Sequence, residues 1–159
     1  MKKRTKINWK ILLLSFLFVY SAAFIGSLLT FSAVNSSWYE TIKPSITPPN
    51  WVFPLVWNIL FFLISLSLYL SIISVRKNSL KLKIKLSFGI NLFLNVLWSL
   101  FYFALRKPAF AFIDLILLWI SILPMIYFTC KTNRKSAWLL IPYLLWISFA
   151  GFLNYLSVF

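Results

Sequence analysis

The chain has 159 residues, 62% of them hydrophobic, and a formal net charge of +14 from sixteen Lys and Arg against two acidic residues, with no His. One Cys, two carboxylates and no imidazole rule out an intrachain disulfide, make a protein-held metal cluster untenable and remove most general acid–base machinery. Haem on a proximal imidazole is excluded too, so a bound tetrapyrrole has to be gripped by its faces and edges.

A helix that crosses a bilayer needs about 20 apolar residues at roughly 1.5 Å rise per residue. Five stretches meet that need: Trp9 to Phe31, Trp51 to Val75, Leu86 to Leu105, Ala109 to Cys130 and Ala137 to Phe159. They use nearly the whole chain, so the expected fold is an all-α membrane protein, a single five-transmembrane-helix bundle over residues 1–159. The basic residues sit at the ends of these stretches rather than along one face among aromatics. No nucleic-acid partner is expected, and the cations read as topology determinants that also hold anionic lipid headgroups.

Lys2, Lys3, Arg4, Lys6 and Lys10 precede the first stretch. A basic start before an apolar run suits a secretory signal, and Ser21-Ala22-Ala23 resembles a cleavage site. The run continues through Phe31, beyond a signal core, so an uncleaved first helix is expected. The second connection holds five more cations and the fourth holds three, against one in the first and two in the third. Thirteen on one side and three on the other place the N-terminus in the cytoplasm and the C-terminus outside. The expected location is a cytoplasmic membrane.

The first connection, Ser32 to Pro49, carries Trp38, Tyr39, Glu40, Lys43 and three prolines. It is the longest loop on the outer side and the natural lid over a site. The second helix follows, with Pro54 in its first turn, where a missing donor costs little. Phe53, Trp57 and Phe61 recur at four-residue spacing on it. Arg76 to Lys85 reads as a basic inner loop.

On the third helix Asn91, Asn95, Trp98 and Tyr102 form one stripe. Two carboxamides on one face do not point at lipid. Interhelical hydrogen bonding, worth about 1 kcal/mol each, and the polar lining of a ligand cavity both fit the spacing. The third helix stops at Arg106-Lys107-Pro108. Asp114, one turn into the fourth helix, is either a charge stabilised by the helix N-terminus and paired with Arg106 or Lys107, or a functional acid. On the fifth helix Pro142 argues for a local bend, and Tyr143, Trp146, Ala150 and Asn154 form a second stripe in which the small Ala150 leaves a hollow between larger side chains. Glycine is too scarce, at three residues, for glycine pairs to set the packing, and no internal repeat suggests alternating access.

The segment Lys43-Pro44-Ser45-Ile46-Thr47-Pro48-Pro49-Asn50-Trp51-Val52-Phe53-Pro54-Leu55-Val56-Trp57 resembles the loop and second-helix signature of the TspO/translocator protein family, also called tryptophan-rich sensory proteins or peripheral-type benzodiazepine receptors. LNVLWSLFYF from Leu94, Asp114 with its following leucines, and AWLLIPYLLWISFAGFLNY from Ala137 are similar to that family in order and spacing. The resemblance spans Trp38 to Tyr155, with the first helix matched only in character. It implies a homodimer of five-helix bundles and a pocket for porphyrins, haem-type tetrapyrroles and benzodiazepine-site drugs, with no required cofactor.

Matched position by position, the resemblance implies ligand contacts from Tyr39, Pro48, Trp57, Phe61, Asn91, Asn95, Trp98, Trp146 and Ala150. It also implies that Trp57 and Trp146 are the residues to examine for light-dependent degradation of protoporphyrin IX, the alternative to sensing or shuttling; a porphyrin or solute transporter is the other. The chain departs from the family at Ile46, where a Trp is frequent, and at Asn91, where many members carry Gln. The sterol pattern of the last helix lacks its Lys or Arg after Tyr155, which argues against sterol binding by that route.

Overall fold

The computed structural model describes residues 7–159, so the cations Lys2, Lys3, Arg4 and Lys6 lie outside the described residues. Every described element is helical: α1 (Trp9–Phe31), α2 (Ser37–Ile42), α3 (Val52–Ser74), α4 (Asn78–Ser99) with a π-helical end (Leu100–Ala104), α5 (Pro108–Cys130), α6 (Arg134–Trp138) and α7 (Ile141–Leu156). Among the described residues, five helical segments, with α6 and α7 counted together, are long and apolar enough to cross a membrane. Here "outer" denotes the end carrying α2, as the charge pattern assigns it.

The apolar surface is arranged for lipid. Leu13, Phe24, Phe93, Ile113 and Leu145 are exposed along the spans, and Trp9 and Trp51 stand at the inner start of α1 and the outer start of α3, where belt anchors belong. Inside, Val19, Ile64, Ile84, Phe88, Ile122, Met125 and Leu140 are fully buried and pack the inner half solid. At the inner end two helices clasp through hydroxyls: Ser67 Oγ donates to the Ser136 carbonyl at 2.8 Å, and Ser136 Oγ donates to the Ser67 carbonyl at 2.9 Å. Each hydroxyl satisfies the other's backbone, so the pair crosses a dry interface without an orphan group.

Two boundaries differ from the sequence reading. The third spanning helix starts at Asn78 rather than near Leu86, so the expected basic loop from Arg76 to Lys85 is mostly helix. Leu80, Ile84, Ser87 and Phe88 turn inward at a helical period, while Lys83 and Lys85 are exposed and can carry their charges toward the inner interface on apolar stems. The fifth span is broken into α6 and α7 at Leu139 and Leu140. Pro142 is the cause, because its ring excludes the carbonyl four residues earlier, that of Trp138, where α6 ends.

The outer end of α4 widens into a π turn. Leu105 N–H reaches the Leu100 carbonyl at 2.8 Å and Lys107 N–H the Phe101 carbonyl at 2.8 Å, with Arg106 held at φ 54° between them. That left-handed residue turns the chain sharply into α5.

A charge-free chamber under an aromatic lid

The outer half is hollow where the inner half is packed. A cavity of about 570 Å³ lies between α1, α3, α4 and α7, with α2 and its following loop over the top. Tyr20, Ala23, Gly26, Ser27 and Thr30 supply the α1 wall, Phe53, Trp57 and Phe61 the α3 wall, and Asn95, Trp98 and Tyr102 the α4 wall. Ala150, Leu153 and Asn154 close it from α7. Phe24, Phe31 and Asn58 line the same space and are exposed on the outside, so the chamber opens along the seam between α1 and α3.

Small residues make the first wall. Ala23, Gly26, Ser27 and Thr30 share a face at three-, four- and seven-residue separations, and a Cβ on Gly26 would stand 3.5 Å from Ser99 Oγ. Close approach of α1 to α4 here leaves the room to the aromatics opposite. Two stacked pairs form flat faces: Trp57 on Phe61, with centroids 5.2 Å apart at 26°, and Trp98 on Tyr102, 5.2 Å at 25°. Trp98 is locked in place because its Nε1–H donates to Asn154 Oδ1 at 3.0 Å, and Asn154 Nδ2 in turn donates to the Pro108 carbonyl at 3.0 Å. The Trp57 indole N–H has no hydrogen-bond partner among the described residues and stands in the wall.

The lid rests on the π turn. Ser36 caps α2 by accepting from Tyr39 N–H at 3.3 Å. Tyr39 packs against Phe103 at 5.7 Å and Tyr102 at 6.5 Å, and Trp38 meets Tyr102 edge-on at 6.1 Å. Burial pushes the Tyr39 hydroxyl up to about 12, with Tyr102 and Glu40 adding to the shift. The Tyr39 side chain therefore meets the chamber as a neutral hydroxyl at ordinary pH.

Of the nine positions expected to contact ligand, Tyr39, Trp57, Phe61, Asn95, Trp98 and Ala150 are brought together around the cavity. Pro48, Asn91 and Trp146 are not among the lining residues. Pro48 sits between Thr47 and Asn50, which do line it. Asn91 lies one turn deeper and is consumed by the bundle: its Nδ2 donates to Ser121 Oγ at 2.8 Å, and its Oδ1 accepts from the Tyr143 hydroxyl at 3.0 Å. Trp146 stands behind the lining Phe53, edge-on at 5.9 Å, with its buried indole N–H unpartnered among the described residues.

Asp114 also departs from expectation. It is 3% exposed with neither carboxylate oxygen hydrogen-bonded among the described residues. Arg106 and Lys107 do not reach it, because their cationic heads lie over Trp38 and Phe110. Nor does Asp114 line the chamber. The α1 wall, Asn154 and Tyr102 were absent from the expected contacts; the small-residue spacing on α1 was the readable sign of the first.

A multi-pass membrane protein with an aromatic-walled chamber beneath a loop lid is the class these features define. Residues 15–158 match the model of the TspO/MBR family, and the chain belongs to that family. It is similar to the tryptophan-rich protein TspO of Chlorobaculum tepidum, 38% identical over 85% of both chains, and to that of Archaeoglobus fulgidus, 38% identical over 91% of this chain and 92% of the relative. A more distant likeness is to the translocator protein of Ovis aries, 30% identical over 74% of this chain and 71% of the relative.

Proposed function

We propose that this chain is a membrane receptor that binds a flat, largely apolar ligand of tetrapyrrole type in the outer chamber and acts in sensing or shuttling, in a bacterial cytoplasmic membrane and as a homodimer. Benzodiazepine-site drugs, being flat and apolar, fit the same description. The carrying observation is the chamber itself: about 570 Å³, inside the range of small-molecule sites, with two stacked aromatic pairs in its walls and no charged lining residue among those described. The aromatic faces suit a conjugated ring system, and Asn95 and the Trp57 indole N–H supply directional contacts.

Protoporphyrin IX added to the purified protein is expected to quench tryptophan fluorescence saturably, and Ala150→Phe, which fills the hollow, to weaken binding at least tenfold. Equal affinity in Ala150→Phe places the ligand elsewhere. Light-dependent loss of pigment is a second reading, favoured by the Trp57 ring in the wall. An indole in contact with an excited macrocycle can be oxidised. Trp146, screened by Phe53, contributes less on this reading, so Trp57→Phe alone should abolish the loss under illumination; equal bleaching with Trp57→Phe sinks it.

A further inference from the structure

An ionised carboxylate drawn into a space with no opposite charge gives up its hydration without compensation. The ionised edge of any ligand in this chamber must therefore remain at the mouth, and of the three outer cations only Lys43 lies over a ring, that of Tyr39, that lines the chamber. Lys107 lies over Phe110, 5.5 Å from the ring, and Arg106 over Trp38, 5.7 Å away, and neither ring lines the chamber. Lys43 lies 5.9 Å over the ring of Tyr39. Tyr39 and Pro44, on either side of Lys43 in the chain, both line the chamber.

The Lys43 ammonium is 2.7 Å from the Glu40 carboxylate, in a pair whose side chains are 31% and 52% exposed. A pair so open to water is weak and changes partners readily. Resting on the reading that the chamber holds a flat apolar ligand, we propose that Lys43 is an anion-reading site at its mouth and Glu40 the built-in competitor for it. The ligand class that follows is an apolar, planar body with a carboxylate on one edge. Binding exchanges one ammonium–carboxylate contact for another: the ligand's oxygen takes the place of Glu40, and Glu40 turns out to water. The phosphate of a lipid headgroup has the same anionic chemistry and is the rival source.

The full chain in phosphatidylcholine nanodiscs, titrated with protoporphyrin IX and with its dimethyl ester, tests this. Glu40→Gln is expected to tighten binding of the acid by about two- to fivefold and Lys43→Gln to weaken it by about the same factor, the reach of an exposed ion pair. Lys43→Arg should bind the acid like the parent, and the uncharged ester should follow none of the substitutions. Opposite signs from neighbouring residues cannot come from a lid that has failed to fold. Phosphatidylglycerol added to the discs separates the two anion sources. If it erases the acid's advantage over the ester in the parent, as Lys43→Gln does, the site belongs to lipid and the proposal falls. Equal responses of acid and ester, with both still bound, overturn the Lys43 site and leave the chamber reading standing; no binding of either removes both.

Discussion

Asn91 and Asn95 stand one turn apart on one face of α4 and do different work. Asn91 is fully buried and bonded to Ser121 and Tyr143, whereas Asn95 reaches the Tyr143 hydroxyl at 3.5 Å and lines the chamber. Asn91→Leu is expected to cost about 1–2 kcal/mol of stability, because it leaves a buried hydroxyl without its acceptor, and to change pigment affinity less than twofold. Asn95→Leu should do the reverse, weakening the pigment at little cost in melting temperature; thermal unfolding beside a fluorescence titration separates them. The stripe alone allowed both glue and lining, and the structure assigns one residue to the bundle and the other to the cavity wall. Depth along the helix decides this, and spacing carries no information on depth.

Tyr39 makes a second residue-scale expectation, in pH. Its hydroxyl is raised by burial from 10.0 to about 12, so the folded protein holds that proton more tightly than the unfolded chain does. The associated stability is fully present below pH 10 and is lost as pH rises from there through about 12. Tyr39→Phe should flatten the alkaline decline of the melting temperature in that window. An unchanged decline would mean that the lid residue titrates like a free phenol.

At the scale of elements, the five spans were legible because bilayer-length apolar runs are hard to mistake, and Pro142 marked the break that separates α6 from α7. The inner start of α4 was misread because alternating lysines look like a loop, although Leu80, Ile84 and Phe88 already carried the helical period. The π turn at Leu100–Ala104 had no sequence sign, since it answers to the lid packed on it rather than to local preference. The lid itself is a marginal element. Six residues of helix cannot stand alone, and α2 depends on the Ser36 cap and on Tyr39 against Tyr102 and Phe103. Ser36→Ala is expected to remove about 1 kcal/mol from α2 and to speed pigment release about fivefold, with the association rate little changed. Faster hydrogen exchange confined to residues 37–42 is the structural signature to look for, and exchange spreading into α4 would count against a local lid.

The whole molecule is asymmetric across the membrane. Ile84, Phe88, Ile122, Met125 and Leu140 fill the inner half without exposure, while the outer half encloses the chamber. The residues that line the chamber belong to the outer half, and its access faces the side bearing α2 and the seam between α1 and α3. Which side of the membrane that is rests on the cation count, and Cys130 offers a direct reading of it. It is the chain's one cysteine, exposed at the inner end of α5. In intact spheroplasts a membrane-impermeant maleimide should leave Cys130 unlabelled until the cells are opened. Ser45→Cys in a Cys130→Ala background, exposed in the loop after α2, should label at once. The reverse pattern would invert the bundle, so that the chamber and the Lys43–Glu40 pair faced the cytoplasm and any ligand were collected from inside the cell.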